Sequence, residues 1–236
     1  MESGAAMQMI DQQHFPRTPA RRLAGFAVLV LALATLAGCT SGVKVPPVVV
    51  LPEPPVPAVS SVARLDEGRE GFVIQEIPSL DAAAVKDFER AVVMMQAGDY
   101  ETASRLLEKV IKQDPGVTAP YINLAIASMH GNKPEQAEDA LQAALMLIPA
   151  HPVASNEYGL LLRKAGRFAE ARTIYETSLQ AFPDYSPLHK NLGILCDLYL
   201  QDPGCALEHY ENYSVAVPMD EQVKIWVADL HVRLKR

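Results

Sequence analysis

Three cysteines offer the most chemistry in this 236-residue chain. Cys196 and Cys205 stand nine positions apart in LGILCDLYLQDPGCALEHY, residues 192–210, a stretch that reads as helix, tight turn, helix. Such a pair can be two core thiols, two metal ligands, a redox centre or a structural staple. A metal site needs more ligands than the pair supplies, and a redox dithiol has closer spacing. A disulfide and two reduced core thiols both stay open. The histidines (His14, His130, His151, His189, His209 and His231) fall in no metalloprotease, nucleophile-elbow or phosphate-loop spacing. His209 follows Glu208, but adjacent residues on a helix point in different directions. The carboxylates fall mostly on helix faces where solvation explains them. This inventory predicts no enzyme, no cofactor and no metal.

Cys39 has a different setting. Arg17, Arg21 and Arg22 precede a 14-residue apolar run, Leu23 to Leu36, which is followed by Ala37-Gly38-Cys39 and then polar residues. A membrane-crossing helix needs about 20 apolar residues, so a basic flank and a shorter run describe a secretory signal. The run's end, Leu36-Ala37-Gly38-Cys39, resembles the lipobox of bacterial lipoproteins. That resemblance implies that residues 1–38 are a removed signal peptide, that the Cys39 thiol is lipidated and that its new amine is acylated. Thr40 follows, not the aspartate that often retains such proteins in the inner membrane, so the resemblance implies the periplasmic face of the outer membrane. The formal net charge is −7, and removing residues 1–38 leaves 18 basic against 26 acidic side chains. An acidic chain without a basic run is a poor nucleic-acid binder.

Residues 39–80 then form the lipidated cysteine plus a proline-rich linker, expected to be disordered. Val45 to Pro57 holds six prolines in thirteen residues. Proline fixes φ and lacks an amide hydrogen, so the tract is expected to be extended polyproline II. At roughly 3 Å per residue it is a spacer of about 40 Å. Gly71 to Pro78, GFVIQEIP, is apolar enough to pack on the domain that follows.

From residue 81 the pattern is helical and periodic. Pro115, Pro149 and Pro183 are 34 residues apart; Ala103, Ala137 and Ala171 share that period, as do Leu107, Leu141 and Tyr175. A fixed 34-residue period of two helices resembles the tetratricopeptide repeat. Residues 152–185 match the pattern well, with Tyr158-Gly159, Leu162, Ala171, Tyr175 and Pro183. Residues 118–151 follow with Tyr121, Leu124-Ala125, Ala137, Leu141 and Pro149. Residues 84–117 are weaker at their start, with Arg90-Ala91. In residues 186–220, His189, Leu192-Gly193 and Cys196 fit, while Ala206, Tyr210 and Pro218 fit only with one residue inserted around QDPG. The implied fold is all-α: a right-handed superhelical stack of four helix-turn-helix repeats spanning 81–220. Residues 221–236 form a capping helix with Asp220 as N-cap and an apolar stripe of Val223, Trp226, Val227, Leu230 and Leu234. Trp226 is read as core of that cap.

In such repeats the first helix lines a concave groove. The resemblance places Phe88, Val92, Met95, Ile122, Ile126 and Met129 there in the first two repeats. In the last two it places Asn156, Leu160, Arg163, Lys164, Lys190 and Asp197. A groove apolar at one end and polar to basic at the other suits a peptide with hydrophobic anchors and an acidic group; packing against the chain's own segments is the alternative. The chaperone-binding members' Lys/Asn clamp is not carried over, because Phe88 and Val92 stand where it begins. The architecture resembles that of pilotin and tight-adherence lipoproteins, which implies a membrane-anchored adaptor binding protein partners in the cell envelope and assisting a pilus or secretion machine. An adaptor or regulator of a cell-wall enzyme is the second reading. In an oxidising periplasm, with Cys39 lipidated, Cys196 and Cys205 have only each other to pair with.

Overall fold

A computed structural model describes residues 61–64, 72–75 and 80–235. The expectations for residues 1–38, Cys39 and Val45–Pro57 lie outside the described residues. Strand β1 (Ser61–Arg64) pairs antiparallel with β2 (Phe72–Gln75), Ser61 opposite Gln75 and Arg64 opposite Phe72. The sequence reading gave these residues to the linker. Valine, phenylalanine and isoleucine favour strands, and pairing satisfies backbone groups that a linker leaves to water. The packing expected of Gly71–Pro78 concerns side chains outside the described residues.

Nine α-helices make up the rest of the described chain: α1 (Ala82–Gln96), α2 (Tyr100–Gln113), α3 (Thr118–His130), α4 (Pro134–Leu147), α5 (Pro152–Lys164), α6 (Phe168–Ala181), α7 (Ser186–Leu195), α8 (Pro203–Ala216) and α9 (Glu221–Leu234). Each of the first four odd-numbered helices packs on its even successor. The odd helices also pack on one another, α1 on α3, α3 on α5 and α5 on α7. The core is one continuous seam. The period-marking residues Ala103, Ala137, Ala171, Leu107, Leu141 and Tyr175 are all fully buried in it.

Glycine sets the closest helix approach. A Cβ on Gly159 would clash with the ring of Tyr175, and one on Gly193 would stand 2.5 Å from Tyr210 Cδ1. Ala91 and Ala125 hold the equivalent places in the first two repeats, both fully buried. The prolines act as stops: Pro115, Pro149, Pro183 and Pro218 each directly follow the residue that caps α2, α4, α6 or α8.

The turn inside each repeat needs one residue in the left-handed region, filled by Gly98, Asn132, Gly166 and Gln201. In the first three repeats the next amide donates to a carbonyl five residues back: Asp99 to Met94 at 2.9 Å, Lys133 to Ser128 at 2.8 Å and Arg167 to Leu162 at 2.9 Å. In the fourth, Asp202 donates to Cys196, six residues back, at 3.0 Å. The extra residue sits in a π-helical turn, Cys196–Leu200, that continues α7. This corrects the expectation of an insertion around QDPG: the wider turn absorbs it upstream, so the left-handed residue and the start of α8 keep the geometry of the other repeats. Cys196 and Cys205 are joined by a disulfide across this turn, with Cα atoms 5.9 Å apart. It ties the fully buried Cys196 to the first turn of α8.

Asp220 caps α9 by accepting from the amides of Gln222 and Val223 at 3.1 and 3.2 Å. Val223 and Leu230 are fully buried on α8, and the Trp226 ring meets Tyr210 at a tilt of 38° with ring centroids 5.2 Å apart. Leu234 departs from the expected stripe. It stands on the buried side of the helix, yet it is 46% exposed at the helix end.

Candidate binding groove

The expected groove residues come from α1, α3, α5, α7 and the π turn that continues α7, and their fates differ. Phe88, Val92, Met95, Ile126, Met129 and Leu160 are half-buried. Ile122 is 5% exposed and belongs to the core, a correction that follows from the close packing of α3 on its neighbours.

The polar end changes more. Asn156 is 1% exposed: its carbonyl oxygen accepts from Asn191 Nδ2 at 2.8 Å, and its own amide donates to Glu157 at 3.2 Å. It ties α5 to α7 and is not offered to a ligand. Glu157 is itself buried, and burial pushes its carboxyl above the usual range. Lys190 Nζ lies 3.0 Å from Asp220 Oδ2 at the N-cap of α9, with Tyr213 also donating to that carboxylate at 2.9 Å. Asp197 pairs with Arg233 of α9 at 2.5 Å. Lys190 and Asp197 are therefore corrected from partner contacts to anchors for the chain's own last helix. α9 neutralises both charges because its first and last turns reach the inner side of the fourth repeat.

Arg163 and Lys164 are left as cations without an ion pair among the described residues. Arg163 is half-buried, and its Nη1 is buried with no hydrogen-bond partner among them. Tyr175 Oη behind it is in the same condition, and burial raises its pKa well above that of a free phenol. Lys164 is exposed. Among the described residues the expected groove thus keeps a half-buried apolar run from α1 to α5 that ends on two cations with no ion pair, Lys164 acting only at longer range on the Glu157 carboxyl.

Two clusters escaped the sequence reading. His189 and His209, twenty residues apart, meet ring to ring with Nδ1 atoms 3.0 Å apart. The helical period alone does not reveal which side chains of α7 and α8 oppose each other. Arg167, in the turn before α6, bridges Glu138 of α4 and Glu170 at 2.7 Å each, while Tyr158 donates to Glu138 at 2.9 Å. That network joins the second and third repeats. Among the described residues, no group of three or more His, Cys, Asp or Glu is placed to hold a metal ion. No described helix is long and apolar enough to cross a membrane.

Residues 94–161 and 157–185 match models of the tetratricopeptide repeat. The stacked helix pairs and these matches agree: the chain carries tetratricopeptide repeats, a fold that generally mediates protein–protein interaction. Over 105 residues it is 27% identical to a probable UDP-N-acetylglucosamine–peptide N-acetylglucosaminyltransferase, SPINDLY, of Petunia hybrida, covering 44% of this chain and 11% of that protein. Of a second relative, the uncharacterized protein y4yS of Sinorhizobium fredii, it spans 56% at 28% identity. Among solved structures, pilF of Pseudomonas aeruginosa superposes with a TM-score of 0.60 at 24% identity, covering 66% of this chain and 70% of that one. YrrB, described as a TPR protein with an unusual peptide-binding site, superposes at 0.51 and 20% identity, covering 60% and 72%. These likenesses are of fold.

Proposed function

We propose that this chain is a membrane-anchored periplasmic adaptor whose groove binds an extended or helical segment of an envelope protein through apolar side chains and one acidic group. The observation that carries the reading is the unequal fate of the groove cations. α9 neutralises Lys190, whereas Arg163 and Lys164 stay unpaired at the end of the apolar run. A half-buried, unpaired guanidinium is costly to leave without an anion, and a carboxylate on a partner satisfies it in a bidentate pair.

The anchor is the lipobox-like Leu36-Ala37-Gly38-Cys39. Several acyl chains on Cys39 hold a protein firmly, at about 0.8 kcal/mol per buried methylene. Thr40 supports the outer membrane. The fold likeness to pilF supports assistance to a pilus or secretion machine. Regulation of a cell-wall enzyme is the second reading, and the genes beside this one separate the two: secretin and pilus ATPase genes for the first, cell-wall enzymes for the other.

The experiment places a photo-crosslinker at Leu160 in the full chain and in its Arg163→Glu and Cys39→Ser variants. A discrete envelope-protein adduct is expected, reduced tenfold or more by Arg163→Glu, and Cys39→Ser should leave the membrane fraction. An adduct indifferent to Arg163→Glu would overturn the groove reading. Membrane retention of Cys39→Ser would overturn the anchor.

A further inference from the structure

The His189–His209 contact lies away from the groove, at the floor of a cleft of about 620 Å³ between α6 and α8 that Leu179, Pro183, Glu176 and Val215 help to line. Its hydrogen-bond pattern is determined. A carbonyl oxygen can only accept, so His189 Nε2 carries the hydrogen that it donates to the Pro183 carbonyl at 2.7 Å. In a neutral ring the other nitrogen, Nδ1, is then a lone pair. His209 must therefore donate from its own Nδ1, across 3.0 Å. The nitrogen left to take up a proton is His209 Nε2.

A first proton on His209 Nε2 leaves both hydrogen bonds intact. A second has only His189 Nδ1 to go to, where it would set two N–H groups of two cations nose to nose at hydrogen-bond distance. That state cannot keep the contact.

We propose that the His189–His209 pair is an acid-released latch in the fourth repeat, holding α8 on α7 with no proton or one added and parting on the second. Burial and the repulsion between the two rings oppose a doubly charged pair. Burial first, then His189 on α7, and least Arg172 on α6 oppose the imidazolium of His209, whereas Glu208 on α8 and Glu176 on α6 favour it. The net effect is a pKa below the ordinary histidine value. Asp184, in the turn before α7, lines the same cleft, and on the α9 side Glu211 is paired with His231 at 3.2 Å. Because α9 packs on α8 and pairs with Lys190 and Asp197, release of α8 would also loosen the cap over the polar end of the groove.

The test is imidazole nitrogen NMR with amide hydrogen exchange on the full chain between pH 7.5 and pH 4. At neutral pH the expected tautomers are Nε2–H for His189 and Nδ1–H for His209. On acidification the pair should titrate in two separated steps, and the second should cut exchange protection in α7 and α8 at least tenfold, with α3 and α4 spared. His151 provides an internal control. Its ring nitrogen accepts from the Ala154 amide at 3.3 Å, burial draws it down to about 4, and its release reads out in α5. His209→Asn keeps a donor near the same place and does not titrate, so it should abolish the acid step in α7 and α8. The other tautomer of His189 at neutral pH, two charged rings with protection unchanged, or an acid step surviving in His209→Asn would each overturn the latch.

Discussion

The third and fourth repeats solve the same packing problem with opposite tolerances. Both slide a glycine under a tyrosine, Gly159 beneath Tyr175 and Gly193 beneath Tyr210, and both end their second helix before a proline. The third keeps strict 34-residue spacing and is buried along most of its first helix, from Pro152 to Gly159 apart from Val153. The fourth carries one residue too many, widens into a π turn and is stapled there by Cys196–Cys205. It also has a different neighbour, since α9 stands where a fifth repeat would begin and takes up Lys190 and Asp197. Regularity in one repeat buries its surface; irregularity in the other is held by covalent and ionic ties. The comparison teaches that a repeat can absorb an insertion when the extra residue falls in a helix turn and leaves the helix-crossing residues in register.

The strongest way to break this comparison is at its shared feature. Gly159→Ala and Gly193→Ala should each cost about 3 kcal/mol, because the added methyl meets a buried ring that cannot retreat, and the ~1 kcal/mol gain in helix propensity only partly offsets it. Urea denaturation checks this. A markedly cheaper Gly193→Ala would show that the π turn gives the fourth repeat slack that the third lacks.

Next in size is the staple. Cys205→Ser, or reduction, should remove about 2.5–3 kcal/mol by the chain-entropy relation for a loop of roughly ten residues. The loss should appear as faster amide exchange in α8 and α9, with the first three repeats unchanged. An equal loss across all repeats would mean that the array unfolds as one unit.

The smallest effect is expected at the ionic tie. Arg233 is 41% exposed and Asp197 12%, so Arg233→Ala should cost about 0.5 kcal/mol, as partly exposed pairs do. Its sharper readout is salt: the difference between wild type and variant should shrink in 1 M NaCl. A difference that persists would point to lost packing by the arginine stem.

How much of this was legible in the sequence differs by feature. The 34-residue spacing of Pro115, Pro149 and Pro183 and the small residues at 103, 137 and 171 located the helix pairs, because two helices can repeat at that interval only by burying the same faces each time. Asp220 and the stripe through Val223 and Leu230 located the last helix. The same register named the apolar groove candidates, of which Phe88, Val92, Met95, Ile126 and Met129 are half-buried and Ile122 is core. The polar half did not: a period says which way a side chain points, not whether a neighbouring helix has brought a countercharge to it.

The sequence by itself determined the helical repeats, their stops and turns, and the acidic character of the chain, since these rest on local backbone preference and on periodic burial. Only the tertiary structure decided where the fourth repeat stores its extra residue, which groove charges stay unpaired, and that His189 meets His209. Those outcomes depend on distances between residues twenty to forty positions apart, which helix packing sets and no local pattern records.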